Sequence, residues 1–89
     1  MSYAIDWRSG ARQAFSQLDL NAQEVVLDQV EAFAESADLL PNRPLPLTLD
    51  HETRVETDIA SYDVFLRLEY APRRRVTVVV RLGFHSHPK

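Results

Sequence analysis

The side chains best suited to acid–base or anion chemistry lie in the C-terminal half of the chain. Arg67 and Arg81 are cations that could bind a phosphate, and His85 could accept or donate a proton near neutral pH. Asp63 could orient that imidazole through a carboxylate–imidazole contact. The structural alternative is an Asp63–His85 pair that fastens the sheet edge, while the arginine stems cover apolar surface. Both interpretations require the four residues to share one face.

Two further candidates precede this group in the sequence. Arg54 could extend an anion site and Glu56 is a candidate general base, although both residues also fit an ordinary role in a cross-strand salt bridge with a neighbouring strand. His51, His85 and His87 make at best a weak metal hypothesis, because the last two are too close for a usual strand-borne ligand pair. The absence of cysteine excludes disulfides, thiolate metal sites and cysteine nucleophiles. We therefore expect no metal and no cofactor.

The composition is that of one small globular domain, which we take to be residues 1–89. The chain is 45% hydrophobic and 26% charged, which argues against disorder and allows a single core. The formal net charge of −3 hides an asymmetry: residues 1–50 carry three arginines against eight acids, whereas 51–89 carry seven cations against five acids. Only the second half therefore favours an anionic partner.

The sequence gives no indication of a membrane segment or of export. Its apolar runs reach three or four residues, far below the roughly 20 that cross a bilayer. The first residues show neither the basic nor the apolar region of a secretory signal. We expect a soluble cytoplasmic protein.

Hydrophobic periodicity predicts two helices and four strands. Asp6 is expected to cap the first helix, and Asn21, with Glu24 three residues later, is expected to cap the second. Three prolines within residues 38–50 exclude a helix there and indicate an extended segment. In chain order, the predicted elements are a strand over 2–6, helices over about 8–18 and 22–36, and strands over 54–59, 62–70 and 76–84.

The order β-α-α-β-β-β predicts an α+β domain in which a helical hairpin packs on one face of a largely antiparallel sheet. A symmetric turn over 71–75 would place Arg81 opposite Phe65, and Arg67 opposite Val79. The side chains expected in the core include Phe33, Val64, Leu66, Leu68, Val76, Val78, Val80 and Leu82. The side chains expected on the opposite, mixed face are Phe65, Arg67, Val79, Arg81 and His85.

Three short motifs follow one another along the chain. They are Ile5-Asp6-Trp7 before the first helix, residues 61–65 (SYDVF) at the start of the central strand, and residues 80–85 (VRLGFH) at the end of the last strand. In this order they resemble the RelE/ParE superfamily of toxin–antitoxin toxins. The resemblance covers nearly the whole chain.

The resemblance implies a metal-independent endoribonuclease acting on ribosome-bound messenger RNA, in which a base, a cation and an acid promote attack by the ribose 2′-hydroxyl. His85 matches a family position that carries a functional Arg or His. Asp63 replaces the arginine that is usual on the central strand, and the aromatic residue usual near the C-terminus is absent. We therefore expect weak or absent RNA cleavage. If cleavage is retained, the catalytic candidates are His85, Arg81, Arg67 and Glu56.

The resemblance also implies a small antitoxin partner that covers the toxin surface. An apolar centre with a cationic rim on the mixed face suits a protein partner better than RNA or the ribosome. The candidate binding residues are Phe65, Arg67, Val79, Arg81, Asp63 and Arg54. The main alternative is a non-catalytic interaction module on the same scaffold, either an orphan or a relative of the ParE branch, which acts on DNA gyrase. A phosphate-binding or RNA-processing protein outside toxin–antitoxin systems is a third possibility, and homo-oligomerisation stays open.

Overall fold

Two helices pack on one face of a four-stranded mixed sheet in the computed structural model, which describes residues 4–38 and 47–89. The α+β class and the order β-α-α-β-β-β are those predicted from the sequence. The elements are β1 (Ala4–Trp7), α1 (Ser9–Ser16), α2 (Leu20–Asp38), β2 (Leu47–Glu56), β3 (Ala60–Ala71) and β4 (Val76–Pro88).

The strand order across the sheet is β1-β4-β3-β2. β1 runs parallel to β4, and the chain passes through both helices before it returns to the sheet, whereas the other neighbours are antiparallel. Arg8 extends the parallel pairing by donating its backbone N–H to the Val79 carbonyl at 3.1 Å. The helices therefore cover one side of the sheet, and the other side, which we call the open face, is left without a covering layer among the described residues.

Small and β-branched residues on α2 form the helical side of the core. Ala22, Val26, Val30 and Ala34 recur every four residues and are completely buried, so α2 can approach the sheet closely. Phe33, which we expected in this row, is only partly buried at the margin of the core. The fully or almost fully buried sheet residues that meet the helices are Val55, Tyr62, Val64, Leu66, Leu68, Val79 and Leu82.

A β-bulge in β4 interrupts the pairing with β3. Arg67 pairs with Arg81, and the next residue, Leu68, pairs with Val79, so that Val80 is an extra residue without a partner. Successive side chains of a strand point to opposite faces, and one inserted residue reverses that alternation. Val79 and Arg81 therefore lie on opposite faces although they are two residues apart.

The bulge overturns part of the predicted core. Val79 is completely buried on the helix side, not on the open face, and Thr77 is buried with it. Val78 and Val80, which were predicted to meet the helices, are only partly buried. On the other side of the bulge, Leu82 is buried as predicted.

The helix starts also differ from the predicted ones. β1 continues through Trp7, so Asp6 remains in the sheet, paired with Val78. Arg8 occupies the N-cap of α1 and makes no side-chain capping bond. The predicted cap of the first helix was therefore wrong.

The second helix begins two residues earlier than predicted, at Leu20. Its cap is Asp19, whose Oδ1 accepts a hydrogen bond from the backbone N–H of Ala22 at 2.9 Å. Asn21 therefore lies inside the first turn, and the Asn21–Glu24 capping pair was misassigned. The helix extends to Asp38 rather than to about residue 36.

The edge strand β2 is longer than predicted, because it begins at Leu47 instead of about residue 54. It pairs with β3 from Leu47–Tyr70 to Glu56–Ser61. Its apolar alternation ends at Val55, and Ile59, in the turn that follows the strand, is 64% exposed. The proline-rich residues 39–46 lie outside the described residues, as do residues 1–3.

The bulge predicts that truncating Val79 destabilises the fold more than truncating its neighbour Val78. Val79→Ala is expected to lower the free energy of unfolding by about 2 kcal/mol, because it removes fully buried methyl groups and leaves a cavity. Val78→Ala is expected to cost less than about 1 kcal/mol, because Val78 is only partly buried. Urea unfolding of both variants measures this difference. A larger loss for Val78→Ala would indicate uninterrupted alternation and no bulge.

Candidate functional site

The centre of the open face carries two directly paired arginines. Arg67 of β3 lies opposite Arg81 of β4, and the neighbouring pair is Phe65 with Gly83. Phe65 is 37% exposed, and a side chain at Gly83 would meet no atom within 4 Å, so the surface beside the aromatic ring is open. Like charges placed directly opposite each other in a sheet are destabilising, and an anion between them would relieve the repulsion.

This register differs by two residues from the symmetric one. The hairpin closes with Ala71 opposite Val76, which shifts the pairing by one residue, and the bulge shifts it by one more. Arg81 therefore faces Arg67 instead of Phe65. Val79, expected opposite Arg67, pairs with Leu68 on the buried side and cannot contribute to an exposed binding surface.

A shallow cleft of about 230 Å³ lies beside the arginine pair. The Arg67 guanidinium is 3.8 Å from Asp50 Oδ1, and both side chains are largely solvent-exposed. No carboxylate of the described residues lies within 4 Å of the Arg81 guanidinium. The residues lining the cleft are Asp50, His51, Glu52, Phe65, Leu66, Arg67 and Arg81. The cleft thus presents two guanidinium groups and two carboxylates around an aromatic ring.

Asp63 and the two C-terminal histidines lie on the same face, towards the end of β4. Asp63 is directly opposite His85, but its Oδ2 is hydrogen-bonded to His87 Nε2 at 3.0 Å. His85 contacts Phe65 in an edge-on arrangement with ring centroids 5.8 Å apart. The expected carboxylate–imidazole contact therefore forms with His87, and it is half-exposed on both sides. His85 is left beside the aromatic ring.

Arg54 and Glu56 form an ion-pair group near the β2–β3 turn. Glu56 Oε1 is 3.2 Å from Arg54 Nε, and its Oε2 is 3.1 Å from Lys89 Nζ. Arg54 also donates to Ser61 Oγ at 3.2 Å. Both carboxylate oxygens of Glu56 are thus engaged with cations, and neither Arg54 nor Glu56 lines the arginine cleft.

Asp19, in the short loop between the two helices, is a key residue that was not predicted from the sequence. Besides capping α2, it accepts hydrogen bonds through Oδ2 from the Thr57 hydroxyl and the Tyr62 hydroxyl, both at 3.0 Å. We call Asp19, Thr57 and Tyr62 the Asp19 cluster. It joins the α1–α2 loop to the β2–β3 turn. The sequence signal that could have identified it is an aspartate three residues before Ala22, the usual spacing between an N-cap side chain and the backbone N–H that it accepts from.

Hydrogen bonding and burial in the Asp19 cluster shift the pKa values of Asp19 and Tyr62. The backbone N–H of Ala22 is the largest cause lowering the pKa of Asp19 below its usual 3.8; burial opposes it, and the Tyr62 and Thr57 hydroxyls add to it. Burial, and then the hydrogen bond to Asp19, raise the pKa of Tyr62. The cluster is therefore a charged carboxylate accepting bonds from neutral donors at neutral pH.

No protein-family model matches the sequence, and no curated protein matches it. Among solved structures, the fold superposes on a chain of the intact E. coli RelBE toxin–antitoxin complex with a TM-score of 0.64. The match covers 92% of this chain and 95% of that chain, at 15% sequence identity. The chain therefore shares the fold of a chain of that toxin–antitoxin complex, in agreement with the fold that the resemblance of its sequence motifs implied.

Across residues 4–38 and 47–89, His, Asp and Glu side chains nowhere form a group of three or more that could hold a metal ion. Neither α1 nor α2 is long and apolar enough to span a bilayer.

The Asp19 cluster predicts a specific loss of stability in acid. A carboxylate whose pKa is lower in the folded than in the unfolded chain stabilises the fold above its unfolded pKa, and that contribution is lost as the pH falls through the folded pKa. Between about pH 4 and pH 2, the melting temperature of the wild type should therefore fall more steeply than that of Asp19→Asn.

The matched control for this prediction is Asp58→Asn, which removes an exposed carboxylate from the adjacent turn. It should keep the acid dependence of the wild type. Equal slopes for wild type and Asp19→Asn would show that the Asp19 carboxylate is not stabilised by these hydrogen bonds.

Proposed function

We propose that this protein is the toxin-like component of a type II toxin–antitoxin system and that it binds an antitoxin segment through the open face. The RelE-like fold over 92% of the chain supports the class of protein. The observation that carries the binding face is the Arg67–Arg81 pair beside the exposed Phe65 ring. Such a role belongs in the cytoplasm, where an antitoxin is made together with its toxin.

The exposed Phe65 ring is the feature of the open face that favours a protein partner. An exposed aromatic ring flanked by arginines has the composition of a protein–protein hot spot, in which aromatic residues and Arg contribute most of the binding energy. Carboxylates of a partner segment would separate the two guanidinium groups and remove their repulsion. The two arginines therefore favour a ligand that carries negative charge over an uncharged ligand.

The acidic residues of the cleft require that the partner also carries positive charge. Asp50 and Glu52 line the same cleft as Arg67 and Arg81, so a uniformly acidic segment would be repelled at one wall. A segment with carboxylates for the arginines and a Lys or Arg for the acids is complementary to both walls. A nucleic-acid strand, with a negative charge at every phosphate, fits this mixture poorly.

We infer that RNA cleavage is weak or absent. Cleavage through the ribose 2′-hydroxyl needs a base, a cation at the phosphoryl oxygens and an acid. Asp63 is a carboxylate at the position where the resemblance leads us to expect a cation, and Glu56 is engaged with two cations. His85, Arg67 and Arg81 are the residues on which a remaining metal-independent activity would depend.

A non-catalytic interaction module on the same scaffold is the second candidate. It is favoured by the same pair of observations: a carboxylate at residue 63, and an aromatic residue at the centre of the open face. In this case the open face would bind a cellular target protein in place of an antitoxin.

We expect a neighbouring small gene to encode the antitoxin, and co-purification with its product tests the binding face. Arg67→Glu/Arg81→Glu is expected to reduce recovery of that protein at least about tenfold, because the substitution reverses both charges at the proposed contact. Arg73→Glu/Arg74→Glu makes the same change in net charge at the exposed hairpin turn and should leave recovery unchanged. Equal recovery with both double variants would place the binding surface elsewhere.

The catalytic prediction is tested by expressing the chain in bacteria and mapping transcript 5′ ends. We expect no new cuts above the background of a strain that carries the empty vector. Codon-positioned cuts that disappear in His85→Ala would contradict this prediction and would identify His85 as the acid or base.

A further inference from the structure

The outer edge of β2 is a long strand edge with nothing paired to it among the described residues. β2 lies at one end of the sheet and extends over 10 residues. Its backbone pairs with β3 on one side, and within residues 4–38 and 47–89 no backbone hydrogen bond is made from the other side. A row of free N–H and C=O groups of this length is a template for another strand.

The charges along β2 indicate which strand this edge fits. Asp50, Glu52, Arg54 and Glu56 alternate along the open face, opposite the open-face residues of β3. Two copies of an edge strand can pair antiparallel about a two-fold axis perpendicular to the sheet, which keeps the same face upward in both copies. With that axis at Glu52, each Asp50 lies opposite Arg54 of the second copy.

Among the three registers centred on residues 51–53, only this one has more attractive than repulsive pairs. The axis at Glu52 creates two Asp50–Arg54 pairs and leaves one repulsive contact, between the two Glu52 side chains. If the axis is moved one residue towards the N-terminus, to His51, Asp50 lies opposite Glu52 in two repulsive pairs. If the axis is moved one residue towards the C-terminus, to Thr53, two attractive Glu52–Arg54 pairs form. Two repulsive Asp50–Glu56 pairs form as well, and they cancel the gain.

The side chains needed for these pairs are accessible. The Asp50 side chain is 72% exposed, and its Oδ1 lies 3.8 Å from the Arg67 guanidinium, which is a long ion pair. The Arg54 side chain is 62% exposed. Within its own chain Asp50 makes one exposed ion pair, and Arg54 makes an exposed ion pair with Glu56 and a hydrogen bond to Ser61 Oγ. Exposed ion pairs contribute little to stability. Pairing with a second copy therefore requires little loss of existing interactions.

An apolar groove on the helix side supports the same partner. It has a volume of about 320 Å³ and lies between α2 and β2, with Phe33 and Leu49 in its lining and Leu49 37% exposed. Because the two-fold axis places the helices of both copies on the same side, the two grooves meet along the joined edges. Their apolar surfaces would cover each other, which adds hydrophobic burial to the backbone pairing.

We propose that the protein forms a two-fold homodimer in which β2 pairs antiparallel with β2 of a second copy, with the axis at Glu52 and paired Asp50–Arg54 contacts on either side. The result is one continuous sheet made from two four-stranded sheets. This inference rests on the outer edge of β2 and not on the arginine pair; because Asp50 and Glu52 also line the arginine cleft, the two proposals are tested by separate measurements, self-association here and partner recovery above.

The test is sedimentation of the full chain over a range of concentrations, with charge variants that are diagnostic of this register. Asp50→Lys and Arg54→Glu each place two like-charge pairs at the interface, so each should weaken dimerisation at least about tenfold. An equimolar mixture of the two variants should dimerise like the wild type, because the mixed dimer contains two attractive pairs. Glu52→Gln should strengthen the dimer, since it removes the repulsion at the axis.

Thermal melting of each variant at a dilute, monomeric concentration checks that the fold is intact. A chain that stays monomeric at all concentrations would overturn the proposal, as would a dimer that ignores all three substitutions. If the chain is monomeric and Arg54→Glu, at a residue outside the arginine cleft, weakens recovery of the antitoxin, the edge belongs to that protein instead, which also overturns the proposal. None of these outcomes affects the Arg67→Glu/Arg81→Glu test of the proposed function.

Discussion

The single extra residue at Val80 is the constraint on which the open face depends. Without it, Val79 and Arg81 would share a face, and one of them would be misplaced: either a valine in solvent or a guanidinium against the helices. The bulge allows Val79 to be completely buried under the helices while Arg81 stays exposed beside Arg67. One backbone irregularity thus completes the core and also assembles the cationic pair.

The Asp19 cluster fixes the other layer of the molecule against this sheet. One carboxylate caps α2 and accepts hydrogen bonds from Thr57 and Tyr62, so the start of the helix and the β2–β3 turn are tied to the same group. Fixing this turn sets the start of β3, the strand that carries Phe65 and Arg67 onto the open face. The same carboxylate therefore joins the helical layer to the strand at the centre of the candidate site.

The regular parts of this architecture follow from sequence patterns, and its irregular parts do not. In β3, Val64, Leu66 and Leu68 are buried and Phe65 and Arg67 are exposed, as strict alternation predicts. In β4, valines occupy both parities around residue 79, so the pattern contains no mark of the bulge. The Asp63–His87 contact depends on that register and was missed with it. Asp19 was missed because two neighbouring side chains, Asp19 and Asn21, could each cap the same helix.

The most direct test of the account is cross-strand disulfide formation in this naturally cysteine-free chain. Residues directly opposite in an antiparallel pair have Cβ atoms about 5 Å apart, close enough for a disulfide after small adjustments. The bulged register predicts that Arg67→Cys/Arg81→Cys oxidises readily to an intramolecular disulfide, whereas Phe65→Cys/Arg81→Cys keeps free, alkylatable thiols. Ready oxidation of the second pair and not of the first would contradict the account, because it would mean that the two arginines do not meet.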